Sequence, residues 1–466
     1  MILLASSLFL RLDRKQLERM KPYPPLSTLL IASSLRARGH AVSLFDATLS
    51  TGVDAFVAML HQTRPSVVGI LEDNFNFLTK MCTVRMRDAT LQMVAAAHAM
   101  GCRVAVNGSD SADHPELYLA AGADAVLTGE ADVSFPAVAE AWRDSLAAPL
   151  QDIAGLVLAD GQHGVTRTAH ARGIGDLDAL PLPAWDLVDV ESYRNAWTSA
   201  HGRFSWNIVS SRGCPFGCNW CAKPIFGRRY AQRSPECVAD EMRRLKDELR
   251  PDHLWFADDI FGLTAAWITR FAKEVAARDA RTPFMIQCRA DLLSPEVVQA
   301  LHDAGAEEVW MGVESGSQRI SDAMDKGTAV DDVRDATRAL KSHGIRACWF
   351  LQLGYPSEMW ADLIMTRDLV RQEWPDDIGV SVSYPLPGTK FHATVSAQLG
   401  RRQNWHDTDD LAMLFRGTYT TEFYRTVRDA LHHEVRAGVI DDARWSVIER
   451  DEWNHRSTEP LIAANG

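Results

Sequence analysis

Three cysteines lie within eight residues, in the stretch Cys214-Pro-Phe-Gly-Cys218-Asn-Trp-Cys221. Their spacing is C-x3-C-x2-C. An apolar, β-prone run (Phe204 to Val209) and the polar turn Ser210-Ser211-Arg212-Gly213 precede them, so the cysteines follow a strand. Thiolates are soft ligands suited to iron–sulfur clusters, zinc or copper(I). Each iron of a cluster is usually held by one cysteine, four in all. Three close cysteines leave one iron of a four-iron cluster without a protein ligand. An open metal position lets a cofactor or substrate bind the metal directly, as catalytic zinc sites also show.

Other readings fit less well. Structural zinc usually takes two ligand pairs. Cys237 and His201 are the nearest further ligands, and neither forms a pair. A disulfide staple does not suit a long chain with no secretory signal. Scattered core burial suits the isolated Cys82, Cys102, Cys288 and Cys348 but not the triplet. A cluster explains the triplet better than zinc, and zinc better than chance.

The arrangement C-x3-C-x-aromatic-C resembles the signature of the radical S-adenosylmethionine (SAM) superfamily. The resemblance implies a [4Fe-4S] cluster held by Cys214, Cys218 and Cys221, with SAM on the open iron. It implies that the methionine amino and carboxylate groups chelate that iron, and that the reduced cluster cleaves SAM to a 5′-deoxyadenosyl radical. The aromatic before the third cysteine, here Trp220, is then expected near the adenine.

A chain of 466 residues suggests two domains plus a smaller appendage. The formal charge is −12, so no basic surface for a sequence-independent nucleic-acid grip is visible, and no nucleic-acid partner is expected. Met1 to Leu10 is apolar, but no basic segment precedes it, so an opening buried strand is the better reading. No apolar run reaches the length of a membrane span. With the cysteine pattern, this points to a reducing cytoplasm. Several of the 14 tryptophans are expected to line a broad apolar cavity.

Residues 1–150 alternate short apolar runs with amphipathic ones. Strands are expected at Ile2–Ser6, Ala41–Asp46, Ser66–Glu72, Arg103–Asn107 and Ala123–Thr128. Such alternation argues for a parallel sheet covered on both faces, with ligands at the carboxyl ends of the strands. No G-x-G-x-x-G follows the first strand, so a dinucleotide fold is unsupported. The segments Tyr23-Pro-Pro-Leu-Ser27, Gly39-His40, Val68-Gly-Ile70, Asn107-Gly-Ser109, Pro115-Glu116 and Thr128-Gly-Glu130-Ala-Asp132 instead resemble a Rossmann-like cobalamin-binding domain. That domain precedes the radical domain in one large branch of the superfamily. The resemblance implies cobalamin contacts at Pro25, Leu26, Ser27, Asn74, Asn107, Gly108, Ser109, Thr128, Gly129 and Glu130. No D-x-H-x-x-G occurs, so the cobalamin is expected without a histidine ligand, over the loop Glu72-Asp73-Asn74.

Residues 151–203 read as a linker, with a hairpin around Asp160-Gly161 and a proline-rich extended segment. Residues 204–390 carry six further βα units, two short of an eight-fold barrel. Six matches the partial (β/α)6 barrel of the radical SAM superfamily. Polar groups stand at five successive strand ends, where such folds place their chemistry. The resemblance places SAM contacts at Asp258 or Asp259, Arg289, Glu314, Ser315 and Gln352. Asp291 reads as a helix cap, and Tyr384 as the candidate catalytic side chain. Residues 391–466 read as a small, mostly helical segment, with helices at Leu411–Arg416 and Phe423–Val435 and a loose end from Thr458.

Taken together, these features indicate a cobalamin-dependent radical SAM methyltransferase acting on an unactivated carbon of a small-molecule substrate. The resemblance also implies an external electron donor of the flavodoxin or ferredoxin type. The alternative is an oxidative cyclase or ring-rearranging enzyme with the same cofactors and no methyl transfer. A non-catalytic cofactor-binding sensor is the third possibility, and the full set of site residues argues against it.

Overall fold

The computed structural model describes residues 1–76, 78, 83–161, 164–223, 225–400 and 404–457. Cys82, His163 and the segment from Thr458 lie outside the described residues. The chain divides into two compact units. The first comprises Met1–Cys214, Lys223–Asp259 and His406–Asp409, and the second holds Pro215–Ala222, Ile260–Trp405 and the chain from Asp410 on.

The first unit is built on a seven-stranded sheet. Its strands are β1 (Ile2–Ala5), β2 (Val42–Phe45), β3 (Val67–Leu71), β4 (Arg103–Asn107), β5 (Ala125–Leu127), β6 (Leu156–Asp160) and β7 (Gly164–Arg167). They lie in the order β2-β1-β3-β4-β5-β6-β7. The first five are parallel, and β6 and β7 join antiparallel. The hairpin expected in the linker thus extends this sheet.

Period-two alternation sends successive residues of each strand to opposite faces. Leu3, Val68, Ile70, Val104, Val106 and Val126 pack under the helices Val53–Thr63 and Val84–Ala99. Leu4, Val67, Leu71, Ala105 and Leu127 pack under Leu26–Ala37 and Ala131–Asp144. Both faces are therefore dry, which is why the strands carry apolar residues throughout.

Six further strands of the expected series follow in the chain, each of the first five followed by a helix. Strands β8 (Ser205–Ile208) and β11 (His253–Phe256) pair in the first unit. The short pair β9 (Ser211–Arg212) and β10 (Ala231–Gln232) is antiparallel between them in sequence. Strands β12 (Phe284–Cys288), β13 (Ala306–Glu314), β14 (Arg346–Leu353) and β15 (Asp377–Val382) pair in that order in the second unit. Ser234 and Ser294 cap the helices Pro235–Glu248 and Pro295–Ala304, accepting from the Cys237 and Val297 N–H at 3.2 and 3.4 Å. Each cap is followed by proline, whose missing N–H costs nothing in a first turn.

The tryptophans mostly serve packing: Trp142, Trp206, Trp349 and Trp445 are buried in core positions. In the C-terminal part, Thr421–Ala437 is helical, but Leu411–Arg416 forms no helix. Leu411, Leu414 and Phe415 are buried there instead, so burial of the irregular segment outweighs local helix propensity. No described helix is long and apolar enough to cross a membrane.

One carboxyl in this unit has no counter-charge in its hydrogen bonds. Glu358 is fully buried and takes the Gly354 N–H at 2.6 Å, while its other oxygen has no partner. Burial, then Asp362, raise its pKa to about 8. A raised acid is protonated in the folded chain while the unfolded chain has already ionised. The resulting penalty grows above the unfolded value and is complete above about pH 8. Glu358→Gln keeps an acceptor for Gly354 and removes the charge. Its stability relative to wild type is expected to rise between pH 5 and pH 8 and then level off, read as urea midpoints against pH.

Candidate active site

The cysteine stretch is closed at its base by the β9–β10 pair, in which Arg212 stands opposite Ala231 and Ser211 opposite Gln232. The chain leaves β9 through Gly213, at φ +80°, and a side chain there would sit 2.0 Å from the Arg229 carbonyl. Only glycine fits so close an approach with positive φ. Cys214 N–H then donates to the Gly227 carbonyl at 3.4 Å, crossing the same loop.

Arg212, just before this turn, is 3% exposed and pairs with Glu130 at 2.7 Å and Asp132 at 3.0 Å. Burial opposes its charge, but the two carboxylates outweigh that and hold its pKa above the ordinary arginine value. Arg229, beyond the cysteines, reaches the other Glu130 oxygen at 2.7 Å and the carbonyls of Gly173 and Ile174. Phe75 stacks on Phe226 with ring centroids 5.1 Å apart, and the Arg212 guanidinium lies 5.6 and 5.5 Å from the two rings. Both ends of the cysteine loop are thereby tied to the strand ends of the N-terminal sheet. Glu130, expected at a cofactor, is instead spent on the two arginines, because a buried guanidinium needs a counter-charge more than a neutral ligand does.

The other expected positions of that sheet gather at its carboxyl edge. Pro25 precedes the helix beginning at Leu26, which is buried, and the Ser27 N–H donates to Asp73 at 3.1 Å. Asn74 donates to Asn107 Oδ1 at 2.8 Å, and Asn107 donates in turn to the carbonyls of Leu127 and Gly129 at 3.0 and 3.1 Å. The Thr128 hydroxyl donates to the Gly155 carbonyl at 3.2 Å. Gly108 and the buried Ser109 open the next turn, and a side chain at 108 would meet Glu72 Oε2 at 2.1 Å. Burial, then Asp110, push the Glu72 carboxyl well above its usual range.

Asp258, at the end of β11, does not face outward. It accepts from the Ser210 N–H and hydroxyl, the latter at 2.7 Å, and from the Ser211 hydroxyl. Burial raises its pKa to about 6 against these hydrogen bonds. It ties β11 to the strand leading into the cysteines. Of the two aspartates expected at SAM, only Asp259 is part-exposed.

In the second unit, Arg289 is also committed. Nε and Nη2 clasp Asp291 at 2.9 Å each, and Nη1 and Nη2 donate to the carbonyls of Lys326 and Gly327 at 2.7 and 3.1 Å. Four of its five N–H groups are used. Its flat face covers Phe216 of the cysteine stretch, 3.8 Å from the ring centroid. Asp291, expected as a helix cap, is thus the counter-ion of Arg289. Glu314 sits at a bulge in β13, where the register to β14 shifts after Gly312, and its φ is +66°. Bulges of this kind re-aim a side chain beside a site, and Glu314 is turned onto Lys326 Nζ at 3.0 Å. Ser315 Oγ lies 3.3 Å from Thr366 Oγ1 and accepts from the Ser317 N–H at 3.1 Å. Gln352 accepts from the Ser383 hydroxyl at 3.2 Å.

Trp220 packs against Ile320, Met324, Tyr355, Phe391, Val395 and Phe415, and its buried indole N–H has no partner. Tyr384 is buried with its ring edge-on to Trp405, centroids 4.7 Å apart. Burial raises its pKa, so the phenol keeps its proton, and the arrangement shows packing rather than a base.

The donor set fits the expected groups in three respects. Cys214, Cys218 and Cys221 are part-exposed, whereas Cys102, Cys288 and Cys348 are buried, with burial raising the Cys288 thiol to about 12. Asn74 Oδ1 and the Trp220 N–H are buried polar atoms left without a partner. A side chain at Gly129 would meet nothing within 4 Å, leaving room beside the strand ends. Among the described residues, no three His, Cys, Asp or Glu stand close enough to close round an ion.

The profile of the Radical SAM superfamily matches residues 208–370. That stretch is a radical SAM domain. Over 416 residues the chain is 26% identical to an uncharacterized methyltransferase of Pyrococcus horikoshii, covering 87% of this chain and 86% of that protein. It is 26% identical to the hopanoid C-3 methylase of Methylococcus capsulatus, covering 86% and 72%. An anaerobic magnesium-protoporphyrin IX monomethyl ester cyclase of Synechocystis is 25% identical, covering 80% and 73%. Among solved structures, the fold resembles the radical SAM methyltransferase TsrM of Kitasatospora setae, with TM-score 0.70 and 18% identity, covering 85% of this chain and 75% of that one.

Sequence reasoning missed Arg212, Arg229 and Phe226 as organisers of the site. Arg212 sits in a stretch read only as a polar turn, and its partners lie 80 and 82 residues away. Arg212→Leu leaves Asp132 buried without its cation. It is expected to cost about 3–5 kcal/mol, the usual loss when one partner of a buried pair is removed. Urea unfolding of the first unit, followed through its tryptophans, measures it.

Proposed function

We propose that the chain is a cobalamin-dependent radical SAM methyltransferase that methylates an unactivated carbon of a small molecule. The observation that carries this is the C-x3-C-x2-C stretch inside the radical SAM domain, tied by Arg212 and Arg229 to the strand ends of a parallel sheet ordered 2-1-3-4-5. In such sheets, ligands bind at the carboxyl ends, where strand order reverses. The methyltransferase names of the relatives and the cobalamin and [4Fe-4S] cluster of TsrM support the same reading.

In this reading, residues 1–150 bind cobalamin, 151–203 connect, and 204–390 form a partial barrel. Residues 391–466 close it as a mostly helical segment. Cys214, Cys218 and Cys221 hold the cluster, and Trp220 offers its unpartnered N–H beside the adenine. Asp259, the part-exposed one of the two aspartates, meets the methionine amino group. Arg289, with one N–H left, positions the Gly327 turn and the Phe216 ring more than it grips a carboxylate. Glu314 and Ser315 stand where ribose or methionine would be met, and Gln352 lies beyond them. Ser27, Asn74, Asn107 and Gly108 line the cobalamin edge, Asn74 with a bare carbonyl oxygen and no histidine. When bound, the reduced cluster supplies the electron that breaks SAM to a 5′-deoxyadenosyl radical, and cobalamin carries the methyl group. The electron itself would come from a flavodoxin- or ferredoxin-type donor, and the reducing cytoplasm is the fitting compartment.

Incubation of the anaerobically reconstituted protein with cobalamin, a reductant and methyl-labelled SAM tests this. Label in the corrinoid together with 5′-deoxyadenosine is the expected outcome. Formation of 5′-deoxyadenosine with no label leaving SAM would favour oxidative cyclisation, the activity in the name of the Synechocystis relative. Absence of both would overturn the enzymatic reading. Cys218→Ala is expected to lose most of the iron and all 5′-deoxyadenosine while keeping its cobalamin, measured by metal analysis and corrinoid absorbance.

A further inference from the structure

Lys326 is 6% exposed, and its ammonium pairs with Glu314 at 3.0 Å, itself 4% exposed. The pair is packed tightly: a side chain at Gly312 would sit 2.5 Å from Lys326 Nζ and 2.7 Å from Glu314 Oε1. The turn carrying Lys326 is fastened to the cysteine stretch at several points. Asn219, next to Cys218, donates its N–H to the Met324 carbonyl at 3.0 Å and its amide to the Ala323 carbonyl at 2.8 Å. The Tyr355 hydroxyl lies 3.0 Å from Asn219 Oδ1 and 2.9 Å from the Ala323 carbonyl. Arg289 holds the Lys326 and Gly327 carbonyls with its edge and the Phe216 ring with its face.

Burial alone opposes the Lys326 charge. Glu314 and then the Cys218 sulfur outweigh it and keep the ammonium charged. A stability role would be met as well by an apolar pair, which often replaces a buried ion pair without loss. What an apolar pair would not supply is a fixed positive charge within electrostatic reach of a cysteine sulfur. A cation near a cluster favours its reduced form, and burial keeps that effect from being screened.

We propose that Lys326 is a positioning residue whose buried ammonium, locked by Glu314 on the turn bonded to Asn219 beside Cys218, sets the reduction potential of the iron–sulfur cluster. The inference rests on the cluster reading above. Glu314 acts as the counterweight: it fixes the ammonium and offsets part of its charge.

The test is the midpoint potential of the reconstituted cluster without SAM, from one-electron reduction by dithionite followed by electron paramagnetic resonance. Lys326→Gln is expected to make the potential more negative. Glu314→Gln, which leaves the ammonium unopposed, is expected to make it less negative. A tenfold change in the reduction equilibrium is expected for each, or about 59 mV for a one-electron couple. Lys326→Arg should stay with wild type. General damage to the loop would move both Gln variants the same way, so opposite shifts mark the charge itself. Should Lys326→Gln fail to hold a cluster, Glu314→Gln and Lys326→Arg still decide. Equal shifts, no shifts, or a displaced Lys326→Arg overturn the inference alone. A wild-type protein that assembles no four-iron cluster overturns the cluster reading and the inference with it.

Discussion

A single buried guanidinium, Arg212, holds the cysteine loop to the sheet that precedes it. Its partners Glu130 and Asp132 belong to the turn and first helical residues after β5, and Arg212 itself is the last residue of β9. Removing three charges from water is costly, and the pairing restores that cost only while every member is in place. The arrangement therefore contributes placement more than net stability. The base of the cysteine loop has one position, because any other leaves charge buried without a counter-charge. Arg229 repeats the logic from the far side of the loop, and the stacked Phe75 and Phe226 fill the space under the guanidinium.

The second unit uses the same device with different residues. Arg289 spends four N–H groups on Asp291 and two carbonyls and its face on Phe216. Lys326 is held by Glu314, whose left-handed backbone at the β13 bulge aims the carboxylate inward. Such backbone strain persists only where surrounding contacts over-determine it. Here the contacts are the ion pair and the absence of a side chain at Gly312. Within each unit, a buried cation fixes its part of the cysteine stretch, while the thiols stay part-exposed.

Much of the fold was legible in the chain. All eleven expected strands of the two parallel series appear, because each is an apolar run long enough to cross a dry sheet and short enough to exclude a helix. The hairpin of residues 156–167 was legible as a hairpin but not as an extension of the first sheet, since nothing local says which edge a hairpin joins. The segment Leu411–Arg416 misled because an apolar stretch can be buried without being helical.

The site was legible in its residue types and much less in their roles. Local spacing by itself determined that three thiols would be grouped after a strand and that polar groups would stand at strand ends. These follow from short-range geometry, which sequence encodes directly. Which polar groups remain for a ligand was decided only by the tertiary structure. Asp258 went to two serines, Arg289 to Asp291 and the Gly327 turn, and Glu130 to arginines 82 and 99 residues away. Buried charge seeks the nearest counter-charge in space, and distance along the chain carries no record of that.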